Sequence, residues 1–153
     1  DGSDEKEVVA MSSKIYLLII FIGVIMVLGI GVLTVEAATC SGSGCNGLNP
    51  NSTGCDATAI RLYSTTSNGA FIELRKSTEC STFWARTTNV SGINRYANAT
   101  LKYYYYTASP APIGNGEKVY SAQRYSADGA GMYACGMLSN SPINSMVYSP
   151  CVP

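Results

Sequence analysis

The chain has no histidine, a single tryptophan and few charged residues, which make up 13% of its 153 positions. Without histidine it lacks the base that Ser–His and Cys–His nucleophilic sites require. It also lacks cysteine pairs of the C-x2-C type, and no glycine-rich loop leads from a strand into a helix as phosphate-binding sites require. These absences argue against a histidine-dependent hydrolase, a structural zinc site and a nucleotide-binding fold.

Concentrated positive charge is also missing. After residue 37 the chain carries eight basic and five acidic side chains, a net charge of +3 that is spread along the sequence. Nucleic-acid-binding domains present a basic patch or stripe, so we expect no nucleic-acid partner. An excess this mild supports at most a weak attraction to anionic polymers of the cell envelope.

One long uncharged stretch is present, IYLLIIFIGVIMVLGIGVLTV at residues 15–35, and it follows Met11 and Lys14. A positive residue before an apolar segment is typical of an export signal. We therefore predict a signal peptide over residues 11–37, with an apolar helix at its centre. A retained membrane anchor over residues 15–35 is the alternative, because about 20 apolar residues span a bilayer.

Cleavage of this signal is predicted before Ala38, because Val35 and Ala37 place small side chains at the −3 and −1 positions. Either outcome exports residues 38–153, which are enough for one modest domain that we expect to be secreted and monomeric. The acidic residues 1–10 precede a plausible start methionine, and we interpret them as an upstream extension outside the fold.

All six cysteines lie beyond the export segment: Cys40, Cys45, Cys55, Cys80, Cys135 and Cys151. An even number of cysteines in a short exported chain indicates disulfides. We predict a Cys135–Cys151 disulfide that closes the C-terminal tail, with two further disulfides among the first four cysteines. The sequence leaves the pairing among those four open, and we predict no metal and no cofactor.

The segment CSGSGCNGLNPNSTGC at residues 40–55 is too rich in Gly, Ser and Asn to bury an apolar face, so we predict a disulfide-held surface loop. A calcium loop is a second interpretation, since Asn49, Asn51 and Thr53 alternate before a glycine. Asp56 is the only carboxylate nearby, however, and calcium requires more negative charge. Turn formation is the simpler account.

Short runs rich in β-branched and aromatic residues recur after the loop, separated by turn signals at residues 67–69 and 109–117. We predict strands at residues 59–65, 70–75, 83–88, 101–107, 118–125 and 132–138. In the first of them, Ile60 and Leu62 are expected on one face, with Arg61 and Tyr63 on the other. The predicted class is all-β, a small disulfide-stapled sandwich or barrel preceded by the apolar signal or anchor helix.

Two motifs, CNGLNPNSTGCDA at residues 45–57 and LRKSTECSTFWAR at residues 74–86, resemble those of the YjfA-like family of small exported bacterial proteins, a domain of unknown function. The matching positions are Cys45, Gly47, Pro50, Gly54, Cys55, Leu74, Arg75, Ser77, Cys80, Trp84, Ala85 and Arg86. Asn49 and Lys76 depart from the family pattern, which has Asp and Tyr there. The resemblance implies a Gram-positive bacterial source and an extracytoplasmic location, and it supplies no known activity.

The second motif contains candidate ligand-binding residues. Trp84 and Arg86 lie two apart on one predicted strand face, and Arg75 ends the preceding strand. Their guanidinium groups are positioned to stack near the indole or to bind an anionic group. The alternative is that Trp84 is the core aromatic of the sandwich and that both arginines pair with Asp56 or Glu73.

A run of four tyrosines provides the other candidate surface. On one continuous strand, Tyr104 and Tyr106 share a face with Lys102 and form a flat platform for sugar rings or a protein partner. The alternative is that these aromatic residues simply favour a strand.

These patterns predict a secreted, disulfide-stabilised, non-enzymatic domain that binds a cell-wall glycopolymer or an envelope protein. One rival is an effector or inhibitor that acts on another protein. The other is a carboxylate-dependent glycan hydrolase that draws on Asp56, Glu73, Glu79, Glu117 and Asp128, although nothing in their spacing fixes a catalytic separation.

Overall fold

The structure is a computed structural model that describes residues 37–146, 148 and 150–153. The predicted upstream extension and the apolar signal or anchor segment lie outside these residues. In the described part, nine strands form two antiparallel sheets, which confirms the predicted all-β class. The strands are β1 (Ala59–Ser67), β2 (Ala70–Ser77), β3 (Thr82–Asn89), β4 (Tyr96–Leu101), β5 (Tyr105–Ala108), β6 (Lys118–Tyr120), β7 (Arg124–Tyr125), β8 (Ala134–Ser139) and β9 (Cys151–Val152). A single 3₁₀ turn spans Gly42–Cys45 in this part of the chain, and no helix there is long and apolar enough to cross a membrane.

The first sheet has the order β1–β2–β3–β6, and β7 pairs with the other end of β3. The second sheet has the order β5–β4–β8–β9. Asn68 and Gly69, both with positive φ, connect β1 to β2 as the turn signal predicted.

The two sheets pack face to face around one core. The buried residues of this core are Ala70, Ile72, Leu74, Phe83, Ala85 and Val119 from the first sheet, Ala97, Ala99, Leu101, Ala134, Leu138 and Val152 from the second, and Met132 from a connection. The layers approach closely at Gly136, where an added Cβ would overlap Thr87 Oγ1 and lie 3.0 Å from the Asn98 carbonyl oxygen. The architecture is therefore a narrow sandwich, one of the two architectures expected.

A second, smaller cluster covers the outer face of the first sheet. It joins Trp84 to Cys45, Cys55 and Cys80, all completely buried. Trp84 points away from the inter-sheet core because its neighbour Ala85 lies in that core and successive strand residues face opposite sides. Trp84 is thus buried, but it lies under the cysteine-rich loop (residues 40–55) and not in the sandwich core where the alternative interpretation placed it.

Three disulfides account for all six cysteines, and they join Cys40 to Cys45, Cys55 to Cys80, and Cys135 to Cys151. The predicted Cys135–Cys151 bridge is confirmed. It does more than close a tail, because Cys151 belongs to β9 and pairs with Cys135 in the second sheet.

The tyrosine-rich segment differs from its prediction. The continuous strand expected over residues 101–107 is wrong, because β4 ends at Leu101 and β5 begins only at Tyr105. Residues 102–104 form the connecting turn, in which Tyr103 has a φ of 69°. Tyr104 and Tyr106 consequently do not share one strand face.

The register of β1 also differs from the expected alternation. A bulge lies between Arg61, which pairs with Arg75, and Tyr63, which pairs with Leu74. Because one extra residue is inserted, Tyr63 turns to the side of the sheet that carries Leu74. The prediction that Tyr63 shares a face with Arg61 is therefore wrong.

Candidate functional site

The motif arginines meet carboxylates of the chain itself. Arg86 lies opposite Glu73 across β2 and β3, and its Nε and Nη2 donate to Glu73 Oε2 at 2.7 Å and Oε1 at 3.0 Å. The Glu73 side chain is only 2% exposed. This bidentate pair uses both carboxylate oxygens and leaves little of Glu73 for a ligand.

Asp56 completes the network from the loop side. Its Oδ1 lies 3.8 Å from Arg75 Nη2 and 3.7 Å from Arg86 Nη1, and Tyr120 donates its hydroxyl to Oδ2 at 3.1 Å. Arg75 also donates to the carbonyl oxygen of Ala59 at 2.8 Å. Two carboxylates balance two guanidinium groups, so the network is neutral and fastens the loop to the sheet.

The pKa values of this network reflect burial and the neighbouring charges. Burial lowers the pKa of Arg75, and the positive charge of Arg86 lowers it further. Burial also opposes the charge on Arg86, but the hydrogen bond and negative charge of Glu73 outweigh it and raise the pKa of Arg86. Burial and the negative charge of Asp56 raise the pKa of Tyr120. Each charged group of the network thus has an opposite charge within 4 Å inside the domain, while Asp56 Oδ1 and Arg75 Nε are buried without a hydrogen-bond partner.

Three of the candidate ligand-binding residues are therefore used internally. Trp84 has no exposed surface, and Arg75 and Arg86 contact the carboxylates that the alternative interpretation named. The structure does not support a ligand site at Arg75, Trp84 and Arg86, because a ligand there would have to displace the loop and break the ion pairs.

A pocket of about 230 Å³ opens elsewhere, at the edge of the sandwich beside β1. Its lining includes Leu62, Tyr63, Phe83, Asp128, Met132 and Tyr133. The β1 bulge matters here, because it brings Tyr63 to the same side as Leu62. The pocket wall therefore combines aromatic and apolar residues with polar groups, among them the carboxylate side chain of Asp128.

The loop that carries Asp128 closes one side of this edge pocket. Gly129 has a φ of 74°, and an added Cβ would lie 2.7 Å from the Phe83 ring. Asp128 Oδ1 accepts hydrogen bonds from the Ala130 backbone N–H at 3.0 Å and from the Ser126 hydroxyl at 3.3 Å. These bonds lower the pKa of Asp128, so an ionised carboxylate is held in place at the pocket.

An exposed group of aromatic residues adjoins the pocket. Lys102 Nζ lies 4.9 Å from the ring centroid of Tyr103 and 5.2 Å from that of Tyr133, and the Tyr103 and Tyr148 rings are 6.1 Å apart. Tyr103 is 71% exposed. We call Lys102, Tyr103, Tyr133 and Tyr148 the tyrosine cluster; because Tyr133 also lines the edge pocket, the two features are continuous.

Tyr104 and Tyr106, the tyrosines expected to bind a ligand, lie outside this cluster. The Tyr104 ring is 5.1 Å from the Arg124 guanidinium carbon, and Tyr106 donates its hydroxyl to the Ile143 carbonyl oxygen at 2.6 Å. Sequence reasoning missed Tyr63, Tyr103, Tyr133 and Tyr148 as candidate ligand-binding residues. Their proximity depends on a bulge and on long-range strand pairing, and the only available signal was the abundance of tyrosine.

Comparison with known proteins adds a family but no activity. No curated protein and no solved structure matches the chain. Residues 43–148 match the family described as "Protein of unknown function (DUF2690)". The matched range begins within the 3₁₀ turn and contains strands β1 to β8 and every residue of the tyrosine cluster. The chain therefore belongs to the DUF2690 family, whose function is unknown.

Proposed function

We propose that this protein is a secreted, non-enzymatic binding domain that recognises a cell-wall glycopolymer through the edge pocket and the tyrosine cluster. The position of Tyr133 carries the proposal. Tyr133 lines the pocket and its ring lies beside Lys102, which joins a concave site to an exposed aromatic surface. A pocket of this kind has room for one sugar residue, while the cluster supports its neighbours along a polymer.

The chemistry of the lining suits a glycan. Tyrosine rings offer flat apolar faces for the C–H surface of a sugar and hydroxyl groups for its polar edge. Asp128 supplies a fixed acceptor for sugar hydroxyls, and Lys102 supplies a donor or an attraction to an anionic substituent. Most of the tyrosine cluster is already ordered by ring and cation contacts, which reduces the entropy cost of binding.

An extracytoplasmic location fits the covalent structure. All six cysteines pair, which favours an oxidising compartment. We also propose that the chain is YjfA-like and of Gram-positive origin, as its two motifs suggest. In support, Cys45 and Cys55 of the first motif pack with Cys80 and Trp84 of the second as one unit.

The two rival functions would require different features of the surface. An effector or inhibitor of another protein would also use exposed tyrosines, because these are frequent in protein interfaces. A carboxylate-dependent hydrolase would need two accessible carboxylates, whereas Glu73 is buried and bonded to Arg86. Release of sugar from wall fragments that Glu73→Gln abolishes without unfolding the protein would favour the hydrolase.

Co-sedimentation of the full chain with purified cell walls tests the proposal. We expect Tyr133→Ala and Tyr103→Ala to weaken binding about tenfold or more. Tyr125→Ala is the matched control, because Tyr125 is 40% exposed, close to the 38% of Tyr133, but lies outside the pocket and cluster. Equal binding by all variants would contradict the proposal. Binding that protease treatment of the walls abolishes would favour an envelope protein instead.

A further inference from the structure

The two disulfides of the cysteine-rich loop lie against each other. Cys40 Sγ is 3.8 Å from Cys55 Sγ, although these two cysteines belong to different disulfides. The sulfur atoms of Cys40, Cys45, Cys55 and Cys80 all lie within 4.8 Å of one another. We propose that these four sulfurs, once reduced, form a tetrathiolate site for Zn²⁺ or a similar thiophilic divalent cation.

The separations between sulfurs of different disulfides come close to those of such a site, and the two bonded pairs have to move apart once they are reduced. In a tetrahedral zinc tetrathiolate with Zn–S bonds of about 2.3 Å, the sulfurs lie roughly 3.8 Å apart. The Cys40–Cys55 separation already has this value, and no pair in the cluster exceeds the ideal by more than about 1 Å. The spacing along the chain argued against zinc because it lacks C-x2-C pairs, but the β2–β3 turn brings Cys80 to the loop and supplies the fourth sulfur.

The surroundings favour thiolates held in fixed positions. Gln123 Nε2 lies 3.7 Å from Cys40 Sγ as a donor and also donates to Thr53 Oγ1 at 2.9 Å. Its Oε1 accepts from the Thr82 hydroxyl at 2.7 Å, so this completely buried amide is held at both ends. A fixed N–H donor beside a ligand sulfur is the kind of supporting contact that stabilises metal thiolates.

Reduction has a defined route from the surface. Cys40 is the one partly exposed member of the four, and the other three are completely buried. An external dithiol attacks Cys40, Cys45 leaves as a thiolate, and the second thiol of the reductant releases Cys40 while the reductant becomes a disulfide. The Cys40 thiolate then attacks Cys55 and Cys80 leaves. A second dithiol resolves the new Cys40–Cys55 bond, so that two dithiols are oxidised and four protein thiols form.

Metal binding then replaces the covalent links. One Zn²⁺ displaces four thiol protons and ties the loop to the β2–β3 turn, the connection that the Cys55–Cys80 disulfide makes in the oxidised protein. The loop is therefore held by two disulfides in the oxidised protein and by one metal ion in the reduced protein. Trp84 packs in the same cluster as these cysteines.

Cobalt titration of the full chain tests this proposal. The chain is reduced with a dithiol, freed of it without oxygen, and titrated with Co²⁺. We expect one Co²⁺ per chain with the charge-transfer and visible bands of tetrahedral thiolate coordination, and displacement by Zn²⁺. Trp84 is the single tryptophan, and its emission should be quenched at the same midpoint. The oxidised chain should bind no cobalt.

Variants locate the metal. A Cys135→Ser, Cys151→Ser double variant should keep the four-sulfur spectrum, and Cys80→Ser should lose it. The proposal is overturned if the reduced wild-type chain shows no tetrahedral bands. It is equally overturned if Cys80→Ser keeps the wild-type spectrum, if the double variant loses it, or if cobalt binds without quenching Trp84.

Discussion

Arg86 and Glu73 form a bidentate ion pair across β2 and β3, with hydrogen bonds of 2.7 and 3.0 Å beneath the cysteine-rich loop. Removal of the Glu73 charge leaves Arg75 and Arg86 to share the single carboxylate of Asp56 in a largely buried position. We therefore expect Glu73→Gln to lower the free energy of unfolding by about 3–5 kcal/mol, measured by urea denaturation. Glu117→Gln, at an exposed carboxylate, should change it by no more than about 0.5 kcal/mol. Equal effects of the two variants would show that the ion pair has no special role.

Close packing at Gly136 gives a second prediction. A methyl group there would overlap Thr87 Oγ1 and press on the Asn98 carbonyl oxygen, whereas one at Gly44 would meet nothing within 4 Å. We expect Gly136→Ala to destabilise the domain by about 1–3 kcal/mol or more, and Gly44→Ala to be neutral or slightly stabilising. Thermal unfolding of both variants checks this, and an unchanged melting temperature for Gly136→Ala would rule out the narrow sandwich.

We expect two of the disulfides to differ in how much they stabilise the domain. The Cys55–Cys80 bridge closes 25 residues and packs on Trp84, while the Cys135–Cys151 bridge closes 16 residues in the second sheet. Chain entropy alone assigns about 3 kcal/mol to each. We expect the double variant Cys55→Ala, Cys80→Ala to lose more free energy of unfolding than a variant in which Cys135 and Cys151 are replaced, because it also removes packing around Trp84.

Tryptophan fluorescence reports the change in packing around Trp84 directly. The emission of Trp84 should shift in the Cys55→Ala, Cys80→Ala variant and stay unchanged when Cys135 and Cys151 are replaced. Native oxidised protein should also present no alkylatable thiol and should stay folded with a chelator. A reactive thiol or a chelator-sensitive fold in that state would contradict the disulfide account.

The raised pKa of Tyr120 predicts that the domain loses stability at alkaline pH. Burial and the negative charge of Asp56 raise its pKa above the ordinary 10.0, so the folded state holds the phenol proton more tightly than the unfolded chain does. This contribution is fully present below about pH 10 and is lost as the pH rises through the folded-state pKa. Denaturation at a series of pH values should show a steeper alkaline loss for the wild type than for Tyr120→Phe. Parallel curves would mean that Tyr120 titrates alike in both states.

Local patterns predicted much of the first sheet and the C-terminal disulfide. Alternation of Ile72 and Leu74 with Glu73 indicated β2, and the Asn68–Gly69 pair indicated the turn before it. The β4 strand was missed because its sequence YANATL contains alanine and asparagine, which are weak strand formers. Its partners on both sides stabilise it, and Ala97 and Ala99 suit the narrow core.

The candidate site was less accessible to sequence reasoning. Trp84 and Arg86 were correctly placed on one face of one strand, with Arg75 on the preceding strand, but nothing local showed that the loop would cover that face. Tyr63 reaches the pocket through a bulge, and Tyr133 meets Lys102 through pairing between β4 and β8. Such contacts depend on register between distant segments, which composition and periodicity do not encode.

The most direct test of glycan recognition is calorimetric titration of the full chain with soluble cell-wall glycopolymer fragments. The account predicts saturable binding to one site, a Kd raised about tenfold or more by Tyr133→Ala, and an unchanged Kd for Tyr125→Ala. No saturable heat with the wild-type chain, or equal loss of binding in the two variants, would contradict it.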